Sequence, residues 1–212
     1  MTDDRKGGIA LIAGSAGMLV TMAFHPSGHD LFQPGQLDHM AHLAVAVHAL
    51  ALASLPVLFL GALALSRRVA RPARYEVAGL VLYGFALAAA MCAAVMSGFV
   101  GSALAREIVD AVPPSEAWRI VFHYNSHVNQ GFAQVYVVAS SLAIVLWSAA
   151  ILRSAALARG VGIYGCVLGP IILLAVLSGH LRLGVHGFGL IVLGQAAWFI
   201  ASGALLCRLR PG

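Results

Sequence analysis

The stretch "HPSGHDLFQPGQLDHMAH", residues 25 to 42, carries four histidines, and "HYNSH" sets His123 and His127 four residues apart. Residues four apart on a helix stack on one face, so His123 and His127 present two imidazoles to a single ion. Imidazole is the commonest metal ligand among side chains. A site needs three or four such donors, each with its second ring nitrogen held by an outer partner. The expected ligand set is His123 and His127 with His42, closed from loop edges by His25, His180, His186, His39 or His29. Asp38, four residues before His42, is the candidate catalytic base; its alternative role is to cap the helix it opens.

Polar residues continue inward from this mouth. Gln130 and Gln134 extend the face of His123 and His127, and His48 lies about 13 Å below His39 along a helix. Gln195 falls at a similar depth in the last apolar run, so His48, Gln130, Gln134 and Gln195 are candidates for one cofactor-binding pocket. The plainer reading is that the glutamines join helices by hydrogen bonds and that a single histidine at a helix mouth is an interfacial hydrogen-bonder.

The spacings HPSGH, HMAH and HYNSH resemble the histidine boxes of membrane di-iron oxygenases and desaturases, a likeness of chemistry and not of family. H-x-x-H-H is missing here, and those enzymes usually hold their boxes on the cytoplasmic side. An all-nitrogen shell suits copper, iron or zinc. Copper or iron is favoured, because histidine outnumbers carboxylate near the mouth. The expected activity is then a metal-dependent oxidation of a quinol, a hydrocarbon or a lipid. Zinc would instead activate water for lipid hydrolysis, with Asp38 as base. A second class is a haem-b electron carrier held by His42 or His48 with His127. A third is a metal transporter or pH sensor, which the absence of histidine and carboxylate from the inner halves of the spans disfavours.

These side chains depend on elements that hold them. Of the 212 residues, 60% are hydrophobic and only 10% charged, with a mean hydropathy of +0.89, outside the range of a soluble globular domain. Apolar runs long enough to cross a bilayer as helices fall at about 8–25, 40–65, 77–101, 119–151, 161–180 and 186–206. Strand-like alternation is absent. The expectation is one all-α integral membrane domain of six transmembrane helices in a single bundle.

Orientation is read from the cations. Arg5, Lys6, Arg67, Arg68, Arg71, Arg74, Arg153, Arg159, Arg208 and Arg210 gather at one set of helix ends, against Arg106, Arg119 and Arg182 at the other. Such a bias puts both termini in the cytoplasm and the histidines outside. Twelve arginines to one lysine suggest a GC-rich bacterial genome, and the expected location is a bacterial inner membrane with the histidine cluster facing the periplasm. The first run lacks a small-residue cleavage site and is read as a retained span.

Several classes are excluded or disfavoured. The net charge of +5 follows from topology, so no nucleic-acid partner is expected; the bilayer and a lipid-soluble or small substrate are. Cys92, Cys166 and Cys207 show no C-x-x-C spacing and read as packing residues. Lys6, the one lysine, lies outside the spans, which rules out a retinal Schiff base. Glycine loops for nucleotides are absent. Pro56 and Pro170 are expected to kink spans two and five, and Trp118 and Trp147 to anchor span four at the interfaces. The loops at about 26–39 and 102–118 are expected to lie over the mouth, the second as a short helix broken by Pro113 and Pro114. The echo of "VMSGFV" at 95–100 in "AVLSGHL" at 175–181 hints at a hairpin repeat, although insertion rules alone account for the pattern.

Overall fold

The computed structural model describes residues 3–26, 36–70, 74–110 and 116–209. Among these every regular element is helical: α1 (Asp3–Ala23), α2 (Leu37–Val69), α3 (Tyr75–Ala94), a π-helical turn (Val95–Val100), α4 (Gly101–Asp110), α5 (Glu116–Ser154), α6 (Arg159–Leu177) and α7 (Val185–Arg208). With α3, the π turn and the start of α4 taken as one rod over Tyr75–Ile108, six helices are each long and apolar enough to cross a membrane. An apolar segment forms a helix because only that conformation pairs its backbone groups within itself. Each of the six expected apolar runs is a helix long and apolar enough to cross a membrane. Most are longer than the apolar runs, because a helix continues through polar residues until a turn signal stops it. Both α2 and α6 run unbroken through Pro56 and Pro170.

Contacts at the two ends define an up-and-down bundle. At the arginine-rich end, Arg68 of α2 pairs with Asp4 of α1 at 3.8 Å, Arg153 of α5 donates to the Tyr75 hydroxyl of α3 at 2.9 Å, and the Cys207 thiol of α7 meets the Arg5 carbonyl of α1 at 3.7 Å. At the opposite end Asp38, opening α2, pairs with Arg106 of α4 at 3.5 Å. Helix α1 packs on α2 and α7, α3 on α5, and α5 on α6. The α1–α7 approach depends on Gly8 and Gly203, since a Cβ on either would lie 2.5 or 2.6 Å from the other's carbonyl oxygen. Small residues allow this closeness, and with it the dispersion contacts that hold helices together in lipid.

The largest buried aromatic group sits toward the arginine end. Trp147, fully buried, packs edge-on against Tyr83 and stacks with Trp198 at 6.1 Å, and its indole N–H donates to the Ser66 hydroxyl at 2.9 Å. This corrects the expectation of an interface anchor. Trp147 is a core residue with its polar handle satisfied, as burial of an indole requires. The outward surface carries Leu60, Phe85, Leu174 and Leu190, each more than 60% exposed.

Candidate paired-imidazole site

The chain leaves α1 at Ala23 and turns at Phe24, which brings His25 against His48, eleven residues into α2. Thr21, the last buried residue of α1, binds the Gly17 carbonyl at 3.0 Å and the Val47 carbonyl of α2 at 3.1 Å. That link ties α1 to α2 one residue before His48. The Nε2 atoms of His25 and His48 then face each other at 3.1 Å, with ring centroids 4.7 Å apart and planes at 69°.

The other ring nitrogens are both engaged. Nδ1 of His25 lies 2.8 Å from the Pro26 carbonyl and Nδ1 of His48 lies 2.6 Å from the Ala44 carbonyl. A carbonyl oxygen only accepts, so each Nδ1 must carry the proton. Two neutral rings own two N–H protons, and both are used. The Nε2 atoms therefore meet lone pair to lone pair unless a cation lies between them. A proton is one such cation. A metal ion is the other. Two nitrogens at about 2.0–2.1 Å from one ion lie about 2.9 Å apart at a right angle and about 3.4 Å apart at the tetrahedral angle. The observed separation falls between these. Carbonyl oxygens on the far nitrogens are the outer partners that metal-bound histidines use.

A π turn supports His48 from behind. Its Gly98 lies flat on the imidazole, because a Cβ there would overlap Cβ and Cγ of His48. The turn displaces a carbonyl, Met96 O, which accepts from the Gly101 N–H and from Nδ2 of buried Asn125 on α5 at 3.2 Å. Single π turns of this kind gather at functional sites. The sequence marked VMSGFV at 95–100 only as the echo of a later segment and read Asn125 as an interface residue, whereas Asn125 is buried.

A cavity of about 110 Å³ opens beside the pair. Its wall includes Met18, Met22, Gln130 and Tyr136 with the two imidazoles, and among the described residues no aspartate, glutamate, lysine or arginine lines it. Comparison with known proteins finds no matching family, no curated relative and no solved structure. The functional reading therefore rests on the site itself.

The other expected site residues are placed as follows. His39, His42, His123, His127, His180 and His186 are exposed, and His180 pairs with the Ser178 hydroxyl at 2.8 Å. His29 lies outside the described residues. Among the described residues no three of His, Cys, Asp and Glu come together in a group able to hold a metal. Asp38, exposed and beside Arg106, is absent from the cavity wall. Gln134 lines a separate 310 Å³ groove with Arg182. Gln195 is buried between α7 and α5, where its Oε1 accepts from Tyr136 and Ser140 and its Nε2 donates to Ser140 and Ser141, all at 2.9–3.1 Å. Its contacts are those of a helix-joining residue. It reaches the cavity only through Tyr136.

Proposed function

We propose that this chain is a multi-pass membrane protein that binds a transition-metal ion between His25 and His48 at the histidine-rich mouth of the bundle. The observation that carries the reading is the pair of Nε2 atoms 3.1 Å apart with both Nδ1 atoms committed to carbonyls. The arginine bias supports a bacterial inner membrane with this mouth on the periplasmic side. The membrane-facing character of exposed Leu60, Phe85, Leu174 and Leu190 supports insertion.

Oxidoreductase chemistry extends this reading. A redox-active ion held by His25 and His48 would supply one-electron chemistry beside an apolar cavity suited to a lipid-soluble phenol or quinol. The zinc-hydrolase alternative has less support, because among the described residues no carboxylate lines the cavity to serve as base. Haem b has less support at this pair as well. Axial ligands on opposite faces of one iron stand about 4 Å apart, further than the two Nε2 atoms here.

The test is metal analysis by mass spectrometry, with a visible spectrum, on the untagged full chain purified in detergent. Wild type is expected to hold one equivalent of metal without a Soret band, and His25→Ala and His48→Ala to lose it. Metal content unchanged in both variants, or a folded wild type that takes up none when supplied, overturns the proposal.

A further inference from the structure

Resting on that reading, we infer that the ion is copper in its monovalent state and that the thioethers of Met18 and Met22 complete its ligand set with the imidazoles of His25 and His48. Met18 and Met22, four residues apart, share one face of the last turns of α1, and His25 follows two residues beyond the helix end. Both methionines line the same cavity wall as the two histidines, and Met18 is 8% exposed while Met22 packs partly buried against the core.

Two independent arguments select the ion. Thioether sulfur is a soft donor, and soft donors favour Cu(I) over zinc or iron(II). No cysteine lines the cavity, so the sulfur there belongs to methionine. The second argument is charge. Among the described residues no carboxylate lines the wall, so those residues leave an ion its full charge in an apolar pocket. The Born cost of that rises as the square of the charge, so a monovalent ion costs about a quarter as much as a divalent one of similar size. Gln130 and Tyr136 add only neutral dipoles, and the Tyr136 hydroxyl proton is already donated to Gln195.

The experiment compares wild type with the Met18→Leu/Met22→Leu double variant, a volume-conserving change that keeps the wall apolar. Cu(I) affinity is measured in detergent by competition with bicinchoninate, Zn(II) affinity with a zinc indicator, and the copper K-edge absorption spectrum reports sulfur neighbours. Wild type is expected to bind one Cu(I) with sulfur scattering. The double variant is expected to lose that scattering and more than about tenfold in Cu(I) affinity, the loss typical even of outer-shell changes. Thermal unfolding should stay near wild type, which shows that the variant is folded, and Cu(I) affinity should fall by a larger factor than Zn(II) affinity, because the lost donors are soft. Unchanged Cu(I) affinity, or a nitrogen-only spectrum in wild type, overturns the thioether ligands while leaving the imidazole site standing. Absence of any metal in wild type, or binding that survives His25→Ala and His48→Ala, overturns the site itself and this inference with it.

Discussion

Gly98 and His48 occupy positions that tolerate no atom between them: a Cβ at Gly98 would overlap Cβ and Cγ of the imidazole-bearing side chain. The π turn of Val95–Val100 is what brings that bare backbone against α2. Gly98→Ala is therefore expected to push His48 away from His25, destabilise the fold by about 1–3 kcal/mol as overpacking does, and lower bound metal. Thermal unfolding in detergent and metal content on the same sample check it; wild-type values in both would show that the contact does not govern the site.

The exposed histidines offer a contrast. His42→Ala, His123→Ala and His127→Ala, made singly, are expected to keep wild-type metal content, since each side chain is exposed and none joins a group of three donors among the described residues. Loss of the ion in any one of them would move the site toward the set that the sequence first suggests.

Gln195 separates a structural role from a binding one. Gln195→Leu removes the hydrogen bonds that join α7 to Tyr136, Ser140 and Ser141 of α5. Stranding buried hydroxyls costs about 1–3 kcal/mol, so a lower midpoint of thermal unfolding with unchanged metal stoichiometry is expected. A drop in metal at unchanged stability would contradict that division.

At the other end, Gly203→Ala is expected to force α1 and α7 apart, because its Cβ would meet the backbone carbonyl of Gly8 at 2.6 Å and a backbone atom cannot rotate aside. A loss of about 1–3 kcal/mol is the scale for such overpacking. Unfolding of Gly203→Ala beside wild type measures it, and equal midpoints would mean that the helices adjust freely.

Much of the architecture was legible before any coordinates. Bilayer-length apolar runs specify helices through backbone hydrogen bonding alone, and that constraint is local, so the six spans could be read from hydropathy. The concentration of histidine at one mouth was equally visible. The sequence by itself thus determined the element type and the number of helices long and apolar enough to cross a membrane. It could not determine which imidazoles meet. His25 and His48 are 23 residues apart, separated by a turn whose path depends on the rest of the bundle, whereas His123 and His127 look paired because four-residue spacing is the one relationship a helix guarantees. That guarantee places them on one face but does not say what the face meets, and here both are exposed. The same reason hid the role of Gly98, which is a requirement of the opposing helix. It also hid that of Trp147, whose buried place comes from Tyr83, Trp198 and Ser66 on three other helices. Only packing between helices decided those relationships, because contact between distant residues is a property of the assembled bundle and of no segment within it.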